Sequence, residues 1–154
     1  MDQALADYDQ AISLDPKDAD AYSYRSEIYI SKRDFEQAIS DLDELILLNP
    51  NHAYPYGTLG WAYLNLGRYD EAKAIFERAS KEKVDYGFDH AGLYAIAFIQ
   101  GDTTEMQRQA GWGKGTPDEP WLLFNQAQVA ASSCKFIQVI IDVRTLGVLS
   151  YTRS

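Results

Sequence analysis

Apolar residues in this 154-residue chain recur at spacings of three and four positions, with polar residues between them. That spacing puts apolar side chains on one face of a helix and predicts an all-helical chain. Pro16, Pro50 and Gly67 divide the pattern, because proline and glycine end helices. The predicted helices cover residues 2–14, 19–32, 35–48, 53–66, 69–82, 88–100, 103–112 and 119–132.

The pattern also repeats every 34 residues. Small residues keep this spacing at Ala4, Ala38 and Ala72, and large residues keep it at other positions. A two-helix unit of this length cannot bury its apolar face alone, so the units have to stack on one another. We therefore expect the repeating positions to form the core. The others are Tyr8, Leu42 and Phe76; Ala11, Leu45 and Ala79; Tyr22 and Tyr56; Tyr29 and Tyr63; Pro16 and Pro50.

These positions resemble the tetratricopeptide repeat consensus, and the match is specific over residues 1–84. Arg25 and Ser26 stand where the consensus has leucine and glycine, and Val84 stands where it has proline. The resemblance implies an all-α, right-handed superhelical solenoid of antiparallel helix hairpins. The matching residues are Tyr22, Tyr29, Ala38, Leu42, Leu45, Pro50, Tyr56, Leu59, Gly60, Tyr63, Ala72, Phe76 and Ala79.

The resemblance also divides the chain into three parts. Residues 1–84 hold tetratricopeptide repeats, the first of them reduced to its second helix, and residues 85–135 hold degenerate helix pairs of the same type. Residues 136–154 form an atypical tail, apolar and rich in β-branched residues at its start. The tail is either a closing helix or a segment through which chains self-associate.

A narrower resemblance covers residues 69–136. The runs 69–72, 92–94 and 97–102, followed by Trp112 and Gly115, are similar to the C-terminal repeats of large bacterial regulators. Those proteins carry a serine/threonine kinase or winged-helix domain in front of the repeats, and neither domain is in this sequence. The resemblance implies, as an alternative, a regulatory or oligomerising fragment of a larger signalling protein.

Charge and cysteine content indicate which classes of partner the chain can bind and in which cellular compartment it is expected. The net charge is −9, and residues 1–50 hold 12 acidic and 4 basic residues. An acidic chain is a poor ligand for nucleic acid or an anionic membrane. Cys134 is the only cysteine, so no disulfide forms within the chain. With no export signal visible at Met1, we expect a cytoplasmic protein.

The resemblance implies that exposed residues of the first helix in each hairpin line a concave groove. Tyr24, Tyr54 and Trp61 are the favoured anchors, because aromatic side chains dominate protein interfaces. The alternative is that these rings only pack on neighbouring helices. Ser23, Ser31 and Gly57 lie at further groove positions. The predicted groove residues are Asp20, Tyr24, Glu27, Tyr54, Thr58, Trp61 and Asn65.

The chemistry of these positions bears on the partner. Some family members clamp a chaperone's C-terminal carboxylate with lysine, asparagine and arginine, but the corresponding residues here are Ser23, Glu27, Tyr54 and Thr58. Without cations to pair with a carboxylate, such a clamp is not expected. The groove instead predicts a protein or peptide partner that is basic or apolar.

No motif predicts catalysis, a metal site or a cofactor. His52 and His90 lack metal-ligand spacing, and we expect surface or capping roles for both. Cys134 has no obvious histidine partner, and a buried or idle thiol is expected. The loop from Gly111 to Thr116 lacks the spacing of a phosphate-binding loop. The chain is therefore predicted not to be an enzyme.

Overall fold

The computed structural model describes residues 2–129 and 131, and every regular element within these residues is an α-helix. Antiparallel helix hairpins stack into a right-handed superhelical solenoid, which confirms the predicted fold class. The expectations for Cys134 and for residues 136–154 lie outside the described residues. The helices are α1 Asp2–Leu14, α2 Ala19–Lys32, α3 Phe35–Leu48, α4 Ala53–Asn65, α5 Tyr69–Glu82, α6 Gly87–Gln100, α7 Thr103–Trp112 and α8, residues 119–129.

The ends of α1 to α7 agree with the sequence prediction to within one residue. Gly67 follows α4 with a φ of 72°, a left-handed conformation that favours glycine. Asp102 caps α7 by accepting a hydrogen bond from the backbone N–H of Glu105 at 3.0 Å, as its sequence predicts. Asp34 and Gln37 have the sequence spacing of a capping pair at the start of α3, but the Asp34 side chain makes no capping hydrogen bond there.

In each hairpin we call the first helix A and the second B: α2, α4 and α6 are A helices, and α1, α3, α5 and α7 are B helices. The core lies where a B helix packs between two successive A helices. The repeating positions Ala38, Leu42, Ala72 and Phe76 are completely buried there, as predicted. In α1, whose main packing partner among the described helices is α2, the equivalent positions are only partly buried: Ala4, Tyr8 and Ala11.

Close packing of α5 against α4 and α6 depends on two glycines. The ring of Phe76 on α5 lies against Gly60 on α4 and against Gly92 on α6. A β-carbon at either glycine would overlap ring atoms of Phe76 unless the helices moved apart. The Phe76 ring is therefore packed between the two A helices at these glycines.

The consensus departure at Arg25 has a structural explanation. Its guanidinium makes two hydrogen bonds to the carboxylate of Asp41 on α3, at 2.6 and 2.9 Å, and one to Asp9 on α1 at 2.6 Å. The Asp41 side chain is nearly buried, whereas that of Asp9 is exposed. Charge-assisted bonds thus join α1, α2 and α3 where the consensus uses an apolar contact.

Candidate functional site

Successive A helices touch through a contact that recurs one repeat apart. The phenol of Tyr54 donates a hydrogen bond to the Glu27 carboxylate at 3.3 Å, between α4 and α2. The indole Nε1 of Trp61 donates to the carbonyl oxygen of Phe88 at 3.3 Å, between α4 and α6. Each pair spans 27 residues, and the second pair is the first displaced by one 34-residue repeat. We call the surface that these A-helix residues share the groove.

The polar side chains predicted for the groove differ in whether they already form hydrogen bonds or ion pairs within the chain. The Thr58 hydroxyl donates to the carbonyl oxygen of Tyr54 at 3.0 Å, and the Asn65 amide donates to that of Trp61 at 2.8 Å. Both side chains therefore bond to their own helix one turn back. Asp20 is exposed at the start of α2 and makes no ion pair within the described residues.

Tyr24 is half exposed, with 52% of its surface accessible, but it is not isolated. Its ring stacks on Tyr8 of α1, with centroids 5.9 Å apart. Tyr24 occupies the same repeat position as Thr58 and Gly92, and Gly92 packs on Phe76 of the preceding B helix. Tyr24 therefore combines an exposed edge with packing on the helix before it.

Three aromatic residues that the sequence analysis did not single out continue the groove. The Phe88 ring lies 5.1 Å from that of Trp61 and 5.9 Å from that of Trp121 on α8, between centroids. Tyr86 stacks on Phe88 at 5.9 Å. The resulting row, Trp61–Phe88–Trp121, crosses three helices. The 34-residue period was the available signal, since it relates Phe88 to Tyr54.

Gly57 lets the start of α6 approach α4, because a β-carbon there would lie 2.8 Å from the phenol oxygen of Tyr86. Asp89 is fully buried at this contact. Its Oδ2 accepts the backbone N–H of Tyr86 at 2.9 Å, and its Oδ1 has no hydrogen-bond partner within the described residues. Burial raises the pKa of Asp89 to about 6 and that of Tyr86 to about 12. Tyr86 is therefore a neutral phenol at physiological pH, while Asp89 is mostly ionised.

Positive charge is segregated away from this part of the solenoid. Helices α4, α6 and α8 contain no lysine or arginine within the described residues. Helices α5 and α7 carry such residues, and the two cations of α2 are already paired, Arg25 with Asp41 and Asp9 and Lys32 with Asp2. The groove from α4 to α8 is therefore aromatic, with acidic groups but no basic ones. The cations of α5 and α7 are Lys73, Arg78, Lys81 and Arg108.

The expectation of a surface or capping role for His90 is wrong. The ring is 5% exposed and stacks on Trp112 of α7, with centroids 3.8 Å apart. Its Nε2 lies 2.9 Å from Oδ2 of Asp85, and its Nδ1 lies 2.6 Å from Oε1 of Gln109. His90 therefore fastens α6 to α7, which the sequence did not reveal because Gln109 is 19 positions away. His52, in contrast, is exposed where α4 begins.

The residues that the structure describes show neither a metal site nor a membrane-spanning helix. They contain no group of three or more histidine, cysteine, aspartate or glutamate side chains arranged to hold a metal ion. They also contain no helix whose length and apolar character would let it cross a membrane.

Comparison with known proteins places the repeats in a family. The tetratricopeptide repeat model matches two overlapping segments, residues 1–54 and 29–96, which together make up more than half of the chain. No curated protein sequence matches the chain significantly.

Solved structures share the fold at low sequence identity. A tetratricopeptide repeat protein from Parabacteroides merdae superposes with a TM-score of 0.73 at 20% identity, covering 96% of this chain and 58% of that one. The MamA structure designated MSR-1 C2 gives 0.60 at 22% identity, covering 70% and 62%. YrrB, described as having an unusual peptide-binding site, gives 0.59 at 21% identity, covering 82% and 66%. The chain therefore spans about three fifths of the first two structures.

Proposed function

Because the chain belongs to the tetratricopeptide repeat family, we propose that it is a non-catalytic scaffold that binds a partner protein or peptide in its groove. The observation that carries this proposal is the aromatic row Trp61–Phe88–Trp121 across three successive helices. A concave surface lined by aromatic rings offers anchoring sites for partner side chains. A peptide-binding site is also the printed description of YrrB, one of the structural neighbours.

Within the groove, we assign different roles to the predicted residues. Tyr54 and Trp61 are anchors that are held in place by Glu27 and by the Phe88 carbonyl. Tyr24 contributes its exposed edge near the first hairpin. Asp20, Glu27, Thr58 and Asn65 supply polar contacts around these rings.

The charge distribution supports a partner that is basic or apolar. Groove residues from α2 to α6 include carboxylates and aromatic rings, whereas the lysines and arginines of α5 and α7 belong to the B helices. Electrostatic complementarity between the groove and its partner mainly increases the rate of encounter and the specificity of binding.

Self-association through the C-terminal end and a cytoplasmic location are further parts of this proposal. The location rests on the single cysteine, Cys134, and on the family.

The alternative proposal is a regulatory or oligomerising part of a larger bacterial signalling protein of the kinase or transcriptional-regulator type. It rests on the resemblance of residues 69–136 to the C-terminal repeats of such regulators. In that case the groove docks another domain of the same protein. Sequencing the coding region upstream distinguishes the two, because a kinase or winged-helix domain in frame favours the alternative.

The groove assignment can be tested by affinity capture from cell extract, with the bound proteins identified by mass spectrometry. The groove variant Tyr24→Ala/Trp61→Ala is compared with Leu47→Ala/Tyr69→Ala, which removes two exposed large side chains from the B helices α3 and α5. Circular dichroism first establishes that both variants are helical.

We expect a protein that the unmodified chain and the B-helix variant retain and the groove variant loses. Equal capture by all three chains would refute the groove. Loss of the captured protein in the B-helix variant alone would show that the binding surface is on the B helices and not in the groove.

A further inference from the structure

The aromatic row ends at a cavity of about 260 Å³ between the start of α6 and the start of α8. Its walls are Tyr86, Gly87, Phe88, Asp118 and Trp121. The Trp121 side chain is 40% exposed, so the cavity opens to solvent beside the groove. Pockets for whole small molecules measure roughly 300–1,000 Å³. This one has the size for a single side chain of a bound peptide.

The charged wall of the cavity is Asp118, which is held close to the backbone of α6. A β-carbon at Gly87 would lie 3.2 Å from Cβ and 3.4 Å from Oδ2 of Asp118. The Asp118 carboxylate accepts no hydrogen bond and has no cation within 4 Å in the described part of the chain. The nearest cation in sequence, Lys114, lines a different cavity with Gly113 and Leu122.

The local electrostatics favour a cation despite the two helix starts. Each helix N-terminus contributes about half a positive charge. The two carboxylates here, Asp118 and the buried Asp89, carry one negative charge each when ionised. Their combined negative charge is larger than the positive charge of the two helix N-termini together. Oδ1 of Asp89, beside Tyr86, has no hydrogen-bond partner among the residues that the structure describes. The faces of the surrounding rings add the negative side of their quadrupoles.

We propose that this cavity receives an arginine side chain of the partner peptide, with the guanidinium against Phe88 and Trp121 and hydrogen-bonded to Asp118. The inference rests on the proposed function and names the chemistry of one anchor within it. A planar guanidinium stacks on aromatic faces and pairs with a carboxylate through two parallel N–H groups. A lysine ammonium satisfies the charge but not the flat shape, so arginine is preferred.

The test uses nuclear magnetic resonance with defined peptides and the full chain. The probe is a capped pentapeptide with arginine at its centre and glycine and serine around it. Its control replaces arginine by citrulline, which keeps the shape and loses the charge. The chain has three tryptophans, and the Trp112 indole, stacked on His90, lies outside the cavity. Trp112 therefore serves as an internal reference for Trp121 in the same spectrum.

With the arginine peptide we expect saturable shifts of the Trp121 indole and the Gly87 amide, and none at Trp112. The citrulline peptide should bind about tenfold more weakly, because the charge-assisted hydrogen bonds are lost. Asp118→Asn should weaken the arginine peptide by a similar factor and leave the citrulline peptide unchanged. Trp121→Leu, at a half-exposed position, should weaken both peptides.

Other outcomes overturn the inference. Equal binding of the two peptides would show that the cavity recognises apolar surface and not charge. Shifts that do not saturate up to about 10 mM peptide would show that the cavity is not a binding site. Shifts of Trp121 that follow protein concentration without any peptide would assign the cavity to a second copy of the chain. None of these results affects capture by the groove, which the Tyr24→Ala/Trp61→Ala variant tests separately.

Discussion

Trp61 donates a hydrogen bond from its indole Nε1 to the backbone carbonyl oxygen of Phe88 at 3.3 Å. The pair occupies the same inter-helix step as Glu27 and Tyr54 one repeat earlier. Trp61 is therefore both an anchor proposed for a partner and a structural link between α4 and α6. A substitution at Trp61 is therefore expected to change the stability of the fold as well as partner binding, and both have to be measured.

Trp61→Phe should lower the free energy of unfolding by about 0.5–1.5 kcal/mol, because it removes this hydrogen bond and keeps an aromatic ring. Urea denaturation followed by circular dichroism measures the effect. Asn65→Ala is the control, since it removes an exposed hydrogen bond to the carbonyl oxygen of Trp61. A larger loss in Asn65→Ala than in Trp61→Phe would contradict the structural role of the indole.

Gly60→Ala and Gly92→Ala should each destabilise the protein by about 1–3 kcal/mol, because the new methyl group overpacks the Phe76 ring. Gly111→Ala is a matched control in α7, where a β-carbon meets no atom within 4 Å. There the same change should stabilise the helix by about 0.5–1 kcal/mol. Thermal unfolding gives the order of the three variants, and a stabilising Gly60→Ala would rule out the tight packing.

Arg25→Ala should lower the free energy of unfolding by about 3–5 kcal/mol, because it leaves the carboxylate of Asp41 buried without its cation. The double variant Arg25→Met/Asp41→Leu should recover most of this loss, since it removes both charges and keeps apolar volume. Asp9→Asn should cost less than about 1 kcal/mol, because Asp9 is exposed. A double variant as unstable as Arg25→Ala would show that the buried charge is not the cause.

Asp89→Asn should stabilise the protein at pH 7.5 by about 1–3 kcal/mol, because the folded pKa of about 6 lies above the ordinary 3.8. The folded state binds the Asp89 proton more tightly than the unfolded state. The contribution of Asp89 protonation to the free energy of unfolding is therefore complete below about pH 4 and disappears as the pH rises through 6. Urea denaturation between pH 4 and 8 should show the variant and the unmodified chain diverging over this range.

The exposed Asp20→Asn is the control for this pH series, because it makes the same chemical change at a carboxylate that is not buried. Parallel curves for Asp89→Asn and the unmodified chain would show that the buried carboxylate does not titrate as its burial implies. The amide can still accept the N–H of Tyr86, so the start of α6 is kept in this variant.

Periodicity alone was enough to predict the helices and the core. Ala38, Leu42, Ala72 and Phe76 lie at repeating positions, and burial at such positions follows from stacking of identical units. Helix ends were equally predictable where glycine or a capping side chain stops the helix. The start of α3 was also predicted correctly, although Asp34 does not cap it through its side chain.

Contacts between residues distant in sequence were not predictable in this way. The partners of Arg25 and His90 are Asp41 and Gln109, and nothing in the local pattern identifies either one. Trp121 was missed because α8 follows an irregular loop, so the 34-residue spacing relates Phe88 to Leu122 instead. Side-chain chemistry across helices depends on the packing that the repeat produces, and it becomes visible only after that packing is known.

The recurring step between A helices gives the groove a direction. Both donors lie on α4: the phenol of Tyr54 bonds back to the Glu27 carboxylate on α2, and the indole of Trp61 bonds on to the backbone carbonyl of Phe88 on α6. The accepting group is thus a charged side chain toward the N-terminal end and the backbone of an aromatic residue toward the C-terminal end. A peptide that lies extended on this surface, as proposed, would meet different neighbours in its two orientations, so its binding should differ from that of the same side chains in reverse order.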